Sequence, residues 1–145
     1  MPATLEDALS IAAAAHRGQV YPASRPEPFI LHPLRVMFGV TSRTAQIVAV
    51  LHDVVEDSDL TLTDLARRGF DAAVLDAVDC LTRRPDEDYA DYICRAAGNP
   101  IAREVKLSDL ADNLANNRAL PPTSENRARI ERYEDAQRSL SQSAN

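Results

Sequence analysis

TAQIVAVLHDVVED, residues 44–57, is the stretch from which the fold of this chain can be inferred. Its apolar residues recur at steps of three and four, which is typical of a buried helix: Ala45, Val48, Ala49, Leu51 and Val55. Four ionisable side chains interrupt the apolar run: His52, Asp53, Glu56 and Asp57. Helical spacing predicts that His52 faces Glu56 and that Asp53 faces Asp57. Because burying an unpaired carboxylate costs on the order of several kcal/mol, the stretch favours a compensating divalent cation.

The composition is that of a globular protein, and we expect one domain spanning residues 1–145, of which 45% are apolar. No apolar run approaches the length of a membrane-spanning helix. The net charge of −6 argues against a nucleic-acid or anionic-membrane partner, although a bound metal would still permit a small phosphate substrate. The acidic start lacks a signal-peptide pattern, and Cys80 and Cys94 lack metal spacing. We therefore expect a cytoplasmic protein with reduced thiols.

The remaining sequence predicts an all-α fold, a single helical bundle of about eight helices, with glycine or proline at the helix boundaries. Residues 19–29 contain three prolines and predict an extended loop. The motif-bearing core covers about residues 5–118, and a polar helix trails it. The predicted helices are Leu5–Arg17, one opening at His32-Pro33, Thr44–Asp57, one from Thr61 to Gly69, Ala72–Arg83, Asp86–Ala97, Ile101 to about Arg118, and Ser124–Leu140.

Two further side chains are candidate metal ligands. His32 stands at a predicted helix start, where by itself it could equally be a core or capping histidine. Asp109 lies in VKLSDLADN, three and four residues from Lys106 and Asn113, on a face that by itself could be solvated. Together with residues 52–53 they form a set of two histidines and two aspartates. Such mixed nitrogen and oxygen ligands suit Mn²⁺, Fe²⁺ or Zn²⁺.

These residues resemble the H…HD…D signature of the HD-domain metal phosphohydrolases. Within that group the sequence is similar to the alarmone-hydrolase branch, which comprises the hydrolase domains of RelA/SpoT-type enzymes and small stand-alone relatives. The resemblance covers about residues 5–118. It rests on AHRGQ at 15–19, HP at 32–33, LHDVVED at 51–57 followed by Thr61, and VKLSD at 105–109 followed by Asn113.

The resemblance implies one bound ion, usually Mn²⁺, and a specific role for each matched residue. The implied metal ligands are His32, His52, Asp53 and Asp109. Glu56 and Asp57 are expected to position or deprotonate the attacking water. Lys106 and Asn113 are expected to contact substrate or brace the site. The implied reaction hydrolyses the 3′-pyrophosphate of guanosine tetra- or pentaphosphate to GDP or GTP and pyrophosphate.

Other interpretations stay open at this point. Glu56 and Asp57 could be a solvated acidic pair at a helix end, although carboxylates there oppose the helix dipole by roughly 0.3–1 kcal/mol. The substrate could be another nucleotide, including a dinucleotide phosphate. The domain could also be a nucleotide sensor without turnover, or a helical interaction module without a metal. An oligomer is possible, but no feature of the sequence indicates one.

The segment after AHRGQ departs from the pattern of the alarmone hydrolases, which place basic residues there to meet the guanine base. This chain has Val20-Tyr21 instead, and Arg25 is the next basic residue of the loop. Tyr21 could offer an aromatic face, and stacking tolerates any base. We therefore expect substrate contacts from Tyr21 and Arg25 but weak discrimination between guanine and adenine. His16 is expected to hydrogen-bond the proline-rich loop rather than to act in catalysis.

Overall fold

The computed structural model describes residues 1–142, so residues 143–145 of the predicted domain lie outside it. The described part confirms the all-α prediction, and none of its helices is both long and apolar enough to cross a lipid bilayer. A two-stranded antiparallel hairpin, β1 (Val20–Tyr21) and β2 (Glu27–Pro28), is added to the helices. The helices of residues 1–142 are α1 (Leu5–Ala15), α2 (Leu31–Phe38), α3 (Arg43–Leu51), α4 (Val54–Asp57), α5 (Leu62–Arg67), α6 (Ala72–Cys80), α7 (Tyr89–Ala97), α8 (Pro100–Arg118) and α9 (Ser124–Gln142).

Helix α3 is the centre of the fold. It packs against α1, α2, α6 and α8, and residues 47–51 are buried on every side of the helix. A helix that is apolar all round belongs in a core, where each fully buried valine or leucine stabilises the fold by roughly 1.5–3 kcal/mol. Helix α8 lies beside it and also contacts α2, α7 and α9. The end of α3 and the middle of α8 therefore fix the positions of His52 and Asp109.

The prediction of one continuous helix over residues 44–57 is wrong. Helix α3 ends at Leu51, and the chain turns at His52 and Asp53 before α4 begins at Val54. The ring nitrogen Nδ1 of His52 lies 2.5 Å from the carbonyl oxygen of Ala49. That oxygen is the acceptor which an uninterrupted helix would offer to the Asp53 amide, so the side chain competes with the helical hydrogen bond. Because this break divides one predicted helix into α3 and α4, residues 1–142 contain nine helices rather than the eight expected.

Other predicted segments also differ from the structure. The proline-rich loop of residues 19–29 includes the short hairpin, in which Val20 pairs with Pro28. Helix α6 ends at Cys80 rather than Arg83, and α7 begins at Tyr89 rather than Asp86. The Arg95 guanidinium donates to the carbonyl oxygens of Asp79 and Thr82, which closes the end of α6. This contact comes from α7, so the local sequence of α6 does not reveal it.

A close approach of α2 and α8 sets the spacing of the site. A Cβ atom at Gly39 would clash with the hydroxyl of Ser108, and that hydroxyl donates to the carbonyl oxygen of Val36 at 2.9 Å. The end of α2 can therefore lie directly against α8 only with glycine at position 39. His32 and Asp109 are carried by these two helices, so the contact determines how near they come.

Candidate active site

The four predicted metal ligands lie together although three separate segments supply them. His32 Nε2 is 2.8 Å from Asp109 Oδ1 and 3.7 Å from Asp53 Oδ2. His52 Nε2 is 3.1 Å from Asp53 Oδ2 and 3.4 Å from Asp109 Oδ1. Ligand atoms of His32, His52 and Asp109 all lie within 4.8 Å of one another, and the three residues are buried. Two imidazole nitrogens and two carboxylate oxygens thus point at one small volume.

The hydrogen bonds of the two histidines aim their Nε2 atoms at that volume. A carbonyl oxygen only accepts, so His52 Nδ1 carries the proton that it donates to Ala49. His32 Nδ1 lies 2.7 Å from Asp112 Oδ2 and is held in the same way by a carboxylate. His52 Nε2 is buried and has no aligned hydrogen-bond partner within residues 1–142. An unpaired imidazole nitrogen beside two carboxylate oxygens fits a divalent cation, whose histidine ligands need this tautomer.

Asp109 is ionised in this arrangement. Burial by itself would raise its pKa, but the Lys106 ammonium and the hydrogen bond from His32 hold that pKa well below its usual range. Lys106 Nζ lies 2.8 Å from Asp109 Oδ2, and Asn113 Nδ2 donates to Oδ1 at 3.2 Å. Lys106 is itself buried, and the charge of Asp109 raises its pKa against the effect of burial. Lys106 and Asn113 therefore brace the Asp109 carboxylate.

Glu56 and Asp57 lie at the solvent side of the same site. The Glu56 carboxylate accepts a hydrogen bond from the backbone N–H of Arg83. Partial burial raises the pKa of Glu56, and the charges of Asp53 and Asp57 add to the increase. Partial burial and Asp53 also raise the pKa of Asp57. A raised pKa makes a carboxylate a better proton acceptor, as general-base chemistry requires.

His16 makes the contact with the proline-rich loop that the sequence predicts. It is buried, its Nδ1 lies 2.8 Å from Oε1 of Gln19, and its ring packs 4.7 Å from the ring of Phe29. The side-chain amide of Gln19 in turn donates to the backbone carbonyl of Asp57 at 2.8 Å. The loop is thus tied to the end of α4, the short helix that carries the two candidate water-positioning carboxylates.

Of the two residues predicted to contact the base, Tyr21 lies in the site and Arg25 does not. Tyr21 is buried, stacks on the His32 ring at 4.8 Å and donates its hydroxyl to Asn113 Oδ1 at 2.6 Å. Its ring thus supports the histidine, and its contact with a base stays a prediction. Arg25 and Val20 are exposed, and neither lines the cavity over the metal ligands. The structure does not bring Arg25 into the site.

A cavity of about 290 Å³ opens over these side chains. Its lining combines the carboxylates with tyrosines and with cations contributed by other elements. The lining residues are Tyr21, Phe29, His32, Asp53, Glu56, Asp57, Arg83, Tyr89, Tyr92, Lys106, Asp109, Asn113, Arg132 and Tyr133. Helix α9, expected only as a trailing helix, therefore contributes to the site through residues 132 and 133.

Comparison with proteins of known name identifies the family. Mouse MESH1, a guanosine-3′,5′-bis(diphosphate) 3′-pyrophosphohydrolase, is 30% identical over an alignment of 147 residues that covers 90% of this chain and 79% of MESH1. This chain belongs to the MESH1 family. Human MESH1 is 29% identical over an alignment that covers 90% of this chain and 79% of human MESH1. The Aquifex aeolicus enzyme of the same activity name is 34% identical over 101 residues, which are 61% of this chain but only 14% of that longer protein.

Comparison with solved structures agrees with the family assignment. A structure described as a metazoan orthologue of SpoT that hydrolyses ppGpp superposes with a TM-score of 0.80 at 25% identity. The match covers 97% of this MESH1-family chain and 86% of that protein. No family model matches the sequence. The relatedness therefore rests on whole-chain alignments and on the shared fold.

The sequence did not reveal that Asp112 and Arg35 support the His32 side chain in this MESH1-family site. Asp112 accepts hydrogen bonds from both His32 and Arg35, whose Nε lies 2.7 Å from Asp112 Oδ1. Arg35 also pairs with Glu27 of the hairpin at 2.6 Å. The one available signal was helical spacing, since Asp112 follows Asp109 by three residues and Arg35 follows His32 by three. Nothing in either segment indicated that the two helices meet.

Proposed function

We propose that this chain is a metal-dependent hydrolase that removes the 3′-pyrophosphate of guanosine tetra- or pentaphosphate, giving GDP or GTP and pyrophosphate. The observation that carries the proposal is the convergence of two histidines and two aspartates next to the cavity that Glu56 and Asp57 line. The activity names of the mouse and human relatives support the substrate class. We place the reaction in the cytoplasm.

Mn²⁺ is the ion we propose for the site. His32 and His52 would each contribute Nε2, and Asp53 and Asp109 would each contribute a carboxylate oxygen. When bound, such an ion lowers the pKa of water from about 15.7 toward about 7 and offsets charge on phosphoryl oxygens. Lys106 occupies the other oxygen of Asp109, which leaves Oδ1 directed at the two histidines.

Glu56 and Asp57 orient the attacking water and accept its proton in this proposal. One Glu56 oxygen is held by the Arg83 amide, which leaves the second oxygen free to take a proton. Asp57 is fixed through its own backbone carbonyl by Gln19. Both carboxyl groups have a raised pKa, so each is better matched to proton transfer near neutrality than an ordinary surface carboxylate.

The proposal also states that this chain discriminates only weakly between guanine and adenine. Val20 stands where the resemblance leads us to expect a basic residue, and Arg25 does not line the cavity. Neither side chain is therefore placed to contact the acceptors of guanine. We expect kcat/KM for the guanosine and adenosine tetraphosphates to differ by less than roughly a hundredfold, which corresponds to about 2.7 kcal/mol.

The test is product analysis on a nucleotide panel that includes guanosine tetraphosphate, its adenosine counterpart and a dinucleotide phosphate. The purified protein is assayed with Mn²⁺ and, separately, after chelation, and its metal content is measured. Equimolar GDP and pyrophosphate from guanosine tetraphosphate, lost on chelation and in Glu56→Gln, is the expected result. Release of inorganic phosphate from the dinucleotide alone would move the assignment to another substrate. Nucleotide binding without any product would make the chain a sensor.

A further inference from the structure

Two arginines that line the cavity have no assigned task. Arg83 follows α6 and Arg132 lies on α9, so they come from different parts of the fold. In the described part of the chain, neither guanidinium lies within ion-pair distance of a carboxylate, whereas those of Arg35 and Arg95 do. Arg83 Nε donates only to the backbone carbonyl of Glu87, at 3.1 Å. Two exposed guanidinium groups that have no carboxylate partner in the described residues thus line a cavity whose other charged groups are mostly carboxylates.

The ring of Tyr89 lies close to both guanidinium groups. The Cζ atom of Arg83 lies 5.4 Å from the centre of the Tyr89 ring, and that of Arg132 lies 4.9 Å from it. The hydroxyl of Tyr89 is buried and has no hydrogen-bond partner within residues 1–142. A buried hydroxyl without a partner is unfavourable and indicates a missing ligand group or water. We call Arg83, Tyr89 and Arg132 the arginine cluster.

The arginine cluster offers donors that suit a phosphate group. Each guanidinium presents a planar fork of N–H donors that can bind two phosphate oxygens, and the phenol adds a third donor group. The backbone N–H of Arg83 binds the Glu56 carboxylate, so the cluster adjoins the proposed water-positioning group. It contains none of the proposed metal ligands. A substrate cleaved beside Glu56 would thus extend toward the cluster with a part that is not cleaved.

We propose that the arginine cluster binds the 5′-diphosphate of the substrate and thereby selects nucleotides that are phosphorylated on both sides of the ribose. The proposal rests on the proposed function, because that function assigns the 3′-diphosphate to the metal ligands and to Glu56. The 5′-diphosphate is the second strongly anionic group of such a nucleotide. Its charge offsets the two free guanidinium groups, and its oxygens accept from the Tyr89 hydroxyl.

The first arm of the test measures binding without turnover. Full-length protein carrying one equivalent of Mn²⁺ is titrated calorimetrically with GDP and with guanosine. The unmodified protein should prefer GDP, and the ratio of the two dissociation constants should fall at least tenfold in Arg83→Gln and in Arg132→Gln. The matched controls are Arg84→Gln and Arg127→Gln, which are exposed neighbours outside the cavity lining. Variant ratios that equal those of the controls would overturn the proposal.

The second arm measures selectivity in catalysis. The ratio of kcat/KM for guanosine tetraphosphate to kcat/KM for guanosine 3′-diphosphate, which lacks the 5′ group, should fall at least tenfold in both cluster variants. Tyr89→Phe, which removes only the hydroxyl, should lower the same ratio severalfold. Equal losses on both substrates would overturn the proposal, since they would place the cluster at the cleaved group or in the fold.

Failure of the proposed function gives a different pattern. In that case the unmodified protein hydrolyses neither guanosine compound, and the catalytic ratio does not exist. The GDP and guanosine titrations still test, without turnover, whether the arginine cluster binds the 5′-diphosphate. A retained GDP preference that is lost in both arginine variants would support the cluster in a non-hydrolytic binder, whereas no preference in the unmodified protein would refute it.

Discussion

Replacing Asp112 with asparagine tests whether a residue outside the ligand set controls metal binding. Asp112 Oδ2 accepts from His32 Nδ1 at 2.7 Å and from an Arg35 guanidinium nitrogen at 3.2 Å, while Oδ1 accepts from Arg35 Nε at 2.7 Å. Asparagine keeps the shape but turns one of these oxygens into an NH₂ group that faces a donor. Either His32 or Arg35 must therefore lose its acceptor in the variant.

The size of the effect follows from what those contacts do. The Asp112 carboxylate fixes the His32 tautomer that directs Nε2 toward Asp53 and Asp109. Loss of such a partner behind a metal-binding histidine typically weakens metal affinity by roughly 10–100-fold, or about 1.4–2.7 kcal/mol. Arg35 keeps its ion pair with Glu27 at 2.6 Å, so we expect the fold to survive.

The assay is a titration of the purified protein with Mn²⁺ in which free ion is counted by electron paramagnetic resonance. Asp112→Asn should bind one ion with a dissociation constant 10–100 times that of the unmodified protein, by the roughly 10–100-fold estimate above. Asp91→Asn is the matched control, because it makes the same chemical change at an exposed position on α7. Circular dichroism of each variant checks that the helices are intact.

One result would refute this reasoning. If Asp112→Asn binds Mn²⁺ within twofold of the unmodified protein while Asp109→Asn loses binding, His32 is oriented without Asp112. The ligand set would then stand, and the supporting role assigned to the Asp112–Arg35 pair would be wrong.

Three further outcomes are expected. Glu56→Gln and Asp57→Asn should each lower kcat by roughly 10²–10⁴ with metal content unchanged, and a parallel loss of metal would make them ligands instead. Mn²⁺ should raise the melting temperature of the unmodified protein but not that of Asp53→Ala, because an ion bound only by the folded state stabilises it. Hydrogen bonds from Arg95 lower the pKa of Glu87 from 4.5 to about 2, so this carboxylate stabilises the fold above pH 4.5 and ceases to do so as the pH falls through about 2. Stability curves of Glu87→Gln and the unmodified protein should therefore converge over that acidic range, and a constant gap would contradict the assignment.

The candidate ligands could be predicted because these ionisable residues stand at positions where the surrounding helical pattern does not account for a charge. His52 and Asp53 stand out from an apolar helix, and Asp109 stands out beside the only lysine of the chain, Lys106. The detailed geometry of the stretch was nevertheless predicted wrongly. The His52 side chain bonds the Ala49 carbonyl and the helix breaks after Leu51, although Asp53, Glu56 and Asp57 still line one cavity.

The sequence by itself determined the all-α class, the resemblance to alarmone hydrolases and the identity of the candidate ligands. Apolar periodicity, caps and prolines act over a few neighbouring residues, so they can be interpreted without a structure. Only the tertiary structure decided that Asp112 supports His32 across 80 positions, that Arg25 lies outside the cavity, and that Arg83 and Arg132 both lie close to Tyr89. Those contacts depend on how whole helices pack, and packing is set by the complete core rather than by the residues that touch.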